Sequence, residues 1–133
     1  MSPVVVWILS VLGIVVVVLT RVRLGAKDSQ GRRRSSGLVL TLHTLAGTVA
    51  VLTWFPYLLG ATLLIGFVGL VAWWITGVAG LGLLMRWMPA RGKHANTDDE
   101  DDWASGPGLS ILAHVGLALG VVGVTYAYAT GAV

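Results

Sequence analysis

Every charged side chain falls in one of two short stretches, Arg21 to Arg34 and Arg86 to Asp102, and the sequence around and between them is apolar. Charged residues make up 11% of the 133 residues and hydrophobic ones 56%, whereas an ordinary soluble domain carries roughly 25% charged residues. A water-facing surface cannot be built from this composition. Four apolar segments can be marked, Val4 to Thr20, Gly37 to Tyr57, Leu58 to Met85 and Leu109 to Ala132. Each approaches or exceeds the roughly 17 to 25 residues that a tilted helix needs to cross the hydrocarbon. The expectation is an all-α integral membrane protein. Residues 1–133 form one four-span domain, an up-down-up-down four-helix bundle with connecting loops at 21–36 and 86–108.

The first segment differs from a signal peptide, because Arg21 and Arg23 follow its apolar run and no basic residue precedes it. It reads as a retained helix. The chain has no cysteine, which removes disulfides, thiolate metal sites, iron–sulfur clusters and covalent haem attachment. Any redox centre must be held by other side chains.

Orientation follows from the basic residues. Six of the nine Lys and Arg lie in the first loop (Arg21, Arg23, Lys27, Arg32, Arg33, Arg34) and three at or beyond the end of the third span (Arg86, Arg91, Lys93). Both loops are short enough for the positive-inside rule, so they belong in the cytoplasm of a multi-pass cell-membrane protein, with both termini and the Phe55 to Ala61 turn outside. The acidic run Asp98 to Asp102 has little weight in that rule, and it lacks the alternation and glycine of a calcium-binding loop. Trp54, Phe55, Tyr57, Tyr126 and Tyr128 fall at the outer boundary and Trp87 and Trp103 at the inner one, as aromatic belts do. Trp73 and Trp74 fall mid-span and are expected to pack against a helix.

Helices in lipid associate through close contact of small residues and a few polar contacts. Gly47 in the second span, Gly66, Gly69, Gly77, Gly80 and Gly82 in the third, and Gly116-x-x-x-Gly120 in the fourth supply candidates.

Ionisable residues within a span are costly and rare, and here there are two, His43 and His114. Each lies six residues into its span, counted from Gly37 and Gly108; at about 1.5 Å per residue both sit about 9 Å inside the membrane. The second and fourth spans run in the same direction, so they present two imidazoles at one depth. A planar cofactor held through two axial nitrogens, such as haem b, requires that arrangement. Thr44, Thr48 and Ser110 are nearby hydroxyls suited to orienting the rings. Gly47 and Ala118 each lie four residues after a histidine, where a small side chain lets a flat ring approach. Arg86 and the Arg32 to Arg34 cluster lie near the surface that anionic haem propionates would face. The competing readings are interhelical hydrogen bonds through the histidines and a quinone or other small ligand between them. His94, beside Lys93 in a polar loop, reads as solvated.

The stretches GLVLTLHTLAGTVAVLTW and LSILAHVGLALGVVGVTYAYA resemble the small four-helix membrane cytochromes b of the cytochrome b561 and ferric-reductase-like kind. The resemblance implies haem held between alternate helices, with His43 and His114 as one axial pair. The chain departs from that pattern in lacking a second histidine pair, since its first and third spans contain none. The expected role is therefore a haem-bearing subunit of a respiratory or electron-transfer complex, acting with other membrane subunits. The alternative is a cofactor-free accessory subunit of a larger membrane complex, with Arg32 to Arg34 binding anionic headgroups. All four spans lack Asp, Glu, Lys and Arg, which disfavours a channel or proton-coupled transporter. No nucleophile–base pair or phosphate loop marks an enzyme acting alone, and no nucleic acid partner is expected.

Overall fold

The computed structural model describes residues 2–28, 37–87 and 107–133. They form four helices, α1 (Pro3–Asp28), α2 (Gly37–Leu58), α3 (Leu63–Trp87) and α4 (Pro107–Ala129), with no strand among the described residues. Each contains a stretch long and apolar enough to cross a membrane: Pro3–Val22, Leu38–Leu58, Leu63–Met85 and Ile111–Ala129. A helix is the form such a segment must take in lipid, because it satisfies its backbone N–H and C=O groups internally. The outward faces are aliphatic, with Leu45, Leu52, Val78 and Leu119 exposed by 61% to 69%. Hydrocarbon solvates that surface at no cost, whereas water would drive it to aggregate.

Helix ends explain where the elements depart from the apolar segments. The second segment does not hand over to the third at Leu58. α2 runs to Leu58 with Pro56 in its last turn, and α3 starts only at Leu63. The stop is Gly60, whose φ of +102° places it in the left-handed region. Its N–H donates to the Tyr57 carbonyl (2.9 Å) and the next N–H, of Ala61, to the Pro56 carbonyl (3.0 Å). This pair of bonds is a Schellman cap, which glycine favours because it has no Cβ to clash. α4 ends the same way at Gly131 (φ +64°), with Gly131 N–H donating to Tyr128 O (3.2 Å) and Ala132 N–H to Ala127 O (2.9 Å).

The shared cap belongs to a longer correspondence. Moving from His43 along α2 meets Tyr57, Gly60 and Ala61, and moving from His114 along α4 meets Tyr128, Gly131 and Ala132 at identical spacings. The two tyrosines answer each other across the molecule. Tyr57 OH donates to the Val133 carbonyl just past the cap of α4 (2.6 Å), and Tyr128 OH donates to the Leu63 carbonyl just past the cap of α2 (2.9 Å). Their rings, with that of Trp54, form an aromatic cluster with centroids 5.2 to 6.3 Å apart. Trp54 also donates its Nε1–H to Ser10 Oγ of α1 (3.0 Å), and that hydroxyl donates to Val6 O (2.7 Å). The ends of α2 and α4 and the starts of α1 and α3 are thereby tied together.

Contacts run from α1 to α2, α2 to α3, α3 to α4 and α4 back to α1, and the α1–α3 and α2–α4 backbones do not approach among the described residues. The α2–α3 contact is the most extensive. Glycine makes it possible: a Cβ on Gly69 would fall 2.9 Å from the Trp54 backbone nitrogen, and one on Gly66 would fall 2.6 Å from the Tyr57 ring. Of the mid-span tryptophans, Trp73 is buried and lies against Gly13 of α1, while Trp74 is half-exposed and donates to Thr125 Oγ1 of α4 (3.1 Å). Gly116 and Gly120 do not make a helix contact of this kind. A Cβ on Gly116 would meet nothing within 4 Å, and one on Gly120 would meet only Leu9 Cδ2, at 3.6 Å.

Candidate functional site

His43 on α2 and His114 on α4 come together inside the protein, 0% and 6% exposed. Their ring centroids are 6.4 Å apart and the ring planes are tilted by 42°. The helices that carry them are not neighbours at the backbone, so the two imidazoles bridge the interior from opposite sides.

α3 supplies the floor of this site. A Cβ on Gly80 would lie 2.8 Å from His114 Cδ2 and 3.3 Å from the Nε2 atoms of both His114 and His43. Both Nε2 atoms therefore converge over a residue with no side chain, and any larger residue would displace the rings. Thr76, one turn earlier on α3, is fully buried and donates its hydroxyl to the Ala72 carbonyl (2.8 Å). Leu40, one turn before His43, packs against Leu83, one turn after Gly80, and closes the site with aliphatic surface.

Neither nitrogen of His43 has a hydrogen-bond partner among the described residues. A neutral imidazole always carries one N–H, and leaving such a donor buried and unbonded costs about 1–3 kcal/mol. Thr44 and Thr48 do not relieve it, because each donates to a carbonyl four residues back on its own helix, Leu40 O and Thr44 O, both at 2.9 Å. The side chain of Ser110 lies outside the described residues.

The remaining sequence candidates are placed as follows. Gly47 is buried, but what approaches it is α1: a Cβ there would lie 2.9 Å from both γ carbons of Val17 and 3.5 Å from Thr76 Cγ2. Ala118 is half-buried on α4. Arg86 belongs to the last turn of α3, with its side chain outside the described residues, and His94, Arg32 to Arg34 and Asp98 to Asp102 lie outside them altogether. Gly80 is the residue that sequence reasoning passed over. It is one of five glycines on α3, and what separates it is that a Cβ there would meet the rings of both His114 and His43.

The donor set bears on chemistry. No group of three or more His, Asp or Glu able to hold a bare metal ion is present among the described residues. Two imidazoles are few for a bare ion but sufficient for a metal that brings its own equatorial nitrogens.

No protein-family model, curated protein or solved structure matches the chain.

Proposed function

We propose that this protein is a membrane b-type cytochrome, or the haem-bearing subunit of an electron-transfer complex, with one haem b held between α2 and α4 by His43 and His114. The observation that carries the reading is the His43 ring: fully buried, both nitrogens without a hydrogen-bond partner, facing His114 at a centroid distance of 6.4 Å. Interhelical hydrogen bonding leaves that ring unexplained, because a histidine kept as polar glue would use its N–H. Iron ligation would use Nε2 directly, leaving one unpartnered ring nitrogen on His43 in place of two.

Haem b ligated by two imidazoles supplies a one-electron Fe(III)/Fe(II) couple. The protein's own part is to hold the rings. α2 and α4 set the two imidazoles on opposite sides, Gly80 leaves their Nε2 atoms room to converge, and Leu40 and Leu83 exclude water, which tunes the potential through the local dielectric. The fold is read as an up-down-up-down bundle with both termini outside, which sets the pair near the cytoplasmic face. Arg86 and the Arg32 to Arg34 cluster are then the cations nearest the propionates. A single histidine pair near one side leaves the other half of the bilayer without a centre, so the protein works beside further membrane subunits, with a quinone as a suitable exchange partner.

The test is to replace each ligand. The parent chain should be red with a b-type α-band on reduction, and His43→Ala and His114→Ala should each yield a folded, colourless protein. A pigment that survives both changes removes the proposal.

A further inference from the structure

We infer that α1 is the moving wall of this protein. It swings on its N-terminal end away from α2 and α4 while α2, α3 and α4 stay packed, and that movement is how haem reaches His43 and His114. The entry route rests on the haem reading; the movement of α1 does not.

The four helices are not held alike. In lipid an apolar face gains nothing by leaving hydrocarbon, so a helix is held by close packing and by its few polar contacts. α3 is held closely: its contact with α2 is the most extensive of the four and sets Gly69 against the Trp54 backbone. α1 makes the two smallest contacts, with α4 and with α2. Its hydrogen bond from Trp54 Nε1–H to Ser10 Oγ and its ring contact between Trp7 and Phe55, with centroids 5.4 Å apart, both fall within its first eight residues. Segments with few buried contacts open at the low end of a protein's range of opening free energies.

The rest of α1 has less to hold it, and least at the depth of the histidines. Gly13 lies on the Trp73 ring and Val17 meets Gly47, but Val17 is the last buried side chain of α1 among the described residues. Thr20 is half-buried, and Val18, Leu19, Arg21 and Val22 are exposed. The pairs Ser10–Trp54 and Val17–Gly47 make α1 and α2 antiparallel, so His43, one turn before Gly47, is level with Thr20 and Arg21. At that level α3 presents Ala79, Gly80, Leu83 and Leu84, all buried. A cavity of about 440 Å³ already parts α1 from α4, and its lining includes Val16 and Leu19 on one side and Leu112 and Ala113, the two residues before His114, on the other. α1 can therefore move beside the histidine pair without disturbing α3.

The experiment uses the full chain, which has no cysteine of its own, purified without haem in mild detergent. Val17→Cys on α1 and Ala72→Cys on α3 replace side chains buried alike, at 8% and 5% exposure. A small maleimide should modify Val17→Cys about ten-fold faster than Ala72→Cys, because the thiol on α1 is uncovered by local opening and the one on α3 is not. A second arm combines Val17→Cys with Gly47→Cys, since a Cβ on Gly47 lies 2.9 Å from both γ carbons of Val17, within reach of a disulfide. Oxidised, this chain should lose most of its uptake of added haem, read from the Soret band, relative to the same chain reduced. Labelling of Ala72→Cys as fast as that of Val17→Cys overturns the movement of α1, whether or not haem binds. Uptake that the disulfide leaves unchanged overturns α1 as the route while the haem reading stands. A parent chain that takes up no haem overturns the haem reading and the route together, and the labelling ratio still decides whether α1 moves.

Discussion

At the scale of single residues, the site depends on two histidines and on what is missing from a third position. In the proposed haem site the Nε2 atoms of His43 and His114 must converge, and both lie 3.3 Å from where a Cβ on Gly80 would stand. Gly80→Leu should therefore yield protein with most of its pigment lost, while Gly82→Leu, two residues on and facing open space, should keep it. Haem per polypeptide, measured on monodisperse protein, checks both. Full pigment in Gly80→Leu would show that α3 does not limit the approach of the rings. The histidine pair was legible in the sequence because an ionisable residue within a span has few ordinary reasons to be there. Gly80 was not, because glycine carries no chemistry of its own and its value lies in the atoms of two other helices.

At the scale of elements, glycines act in three different ways, and their substitutions should rank accordingly. Gly69→Ala sets a methyl 2.9 Å from the Trp54 backbone nitrogen, so α2 and α3 must separate, at an overpacking cost of about 1–3 kcal/mol. Gly60→Ala meets no atom within 4 Å but must hold a φ of +102°, which costs about 1 kcal/mol for a residue with a Cβ. Gly82→Ala meets neither obstacle and should be neutral or slightly stabilising. Thermal denaturation in detergent should follow that order, and a larger loss from Gly82→Ala than from Gly69→Ala would contradict the α2–α3 packing.

The helices themselves were plain from hydropathy, because hydrocarbon leaves a spanning segment no other fold to take. Their ends were less so. Pro56 suggests a break, yet the helix passes it and stops at Gly60, where a left-handed residue closes the cap. The Gly116-x-x-x-Gly120 spacing also misled, since small residues permit contact without specifying a partner, and here they line a groove. The matching spacing of His, Tyr, Gly and Ala along α2 and α4 was readable in the sequence. Its meaning needed the two tyrosine bonds that reach past the opposite caps.

At the scale of the molecule, the structure has four helices apolar enough to cross a membrane, and the proposed orientation, with both termini outside and both long loops in the cytoplasm, rests on the segregated charges of the sequence. The absence of cysteine makes this simple to test. In intact cells, Ser2→Cys should react with a membrane-impermeant maleimide, and Ser35→Cys should react only after the membrane is opened. The reverse pattern would invert the orientation and move the histidine pair to the outer side. The most direct test of the central claim is the dithionite-reduced minus air-oxidised absorbance spectrum of the purified chain, with iron quantified per polypeptide. Haem ligation by His43 and His114 predicts a b-type α-band and about one iron per chain, the capacity of a single axial pair. A flat spectrum after haem supplementation would contradict it and leave a cofactor-free accessory subunit as the reading of this protein.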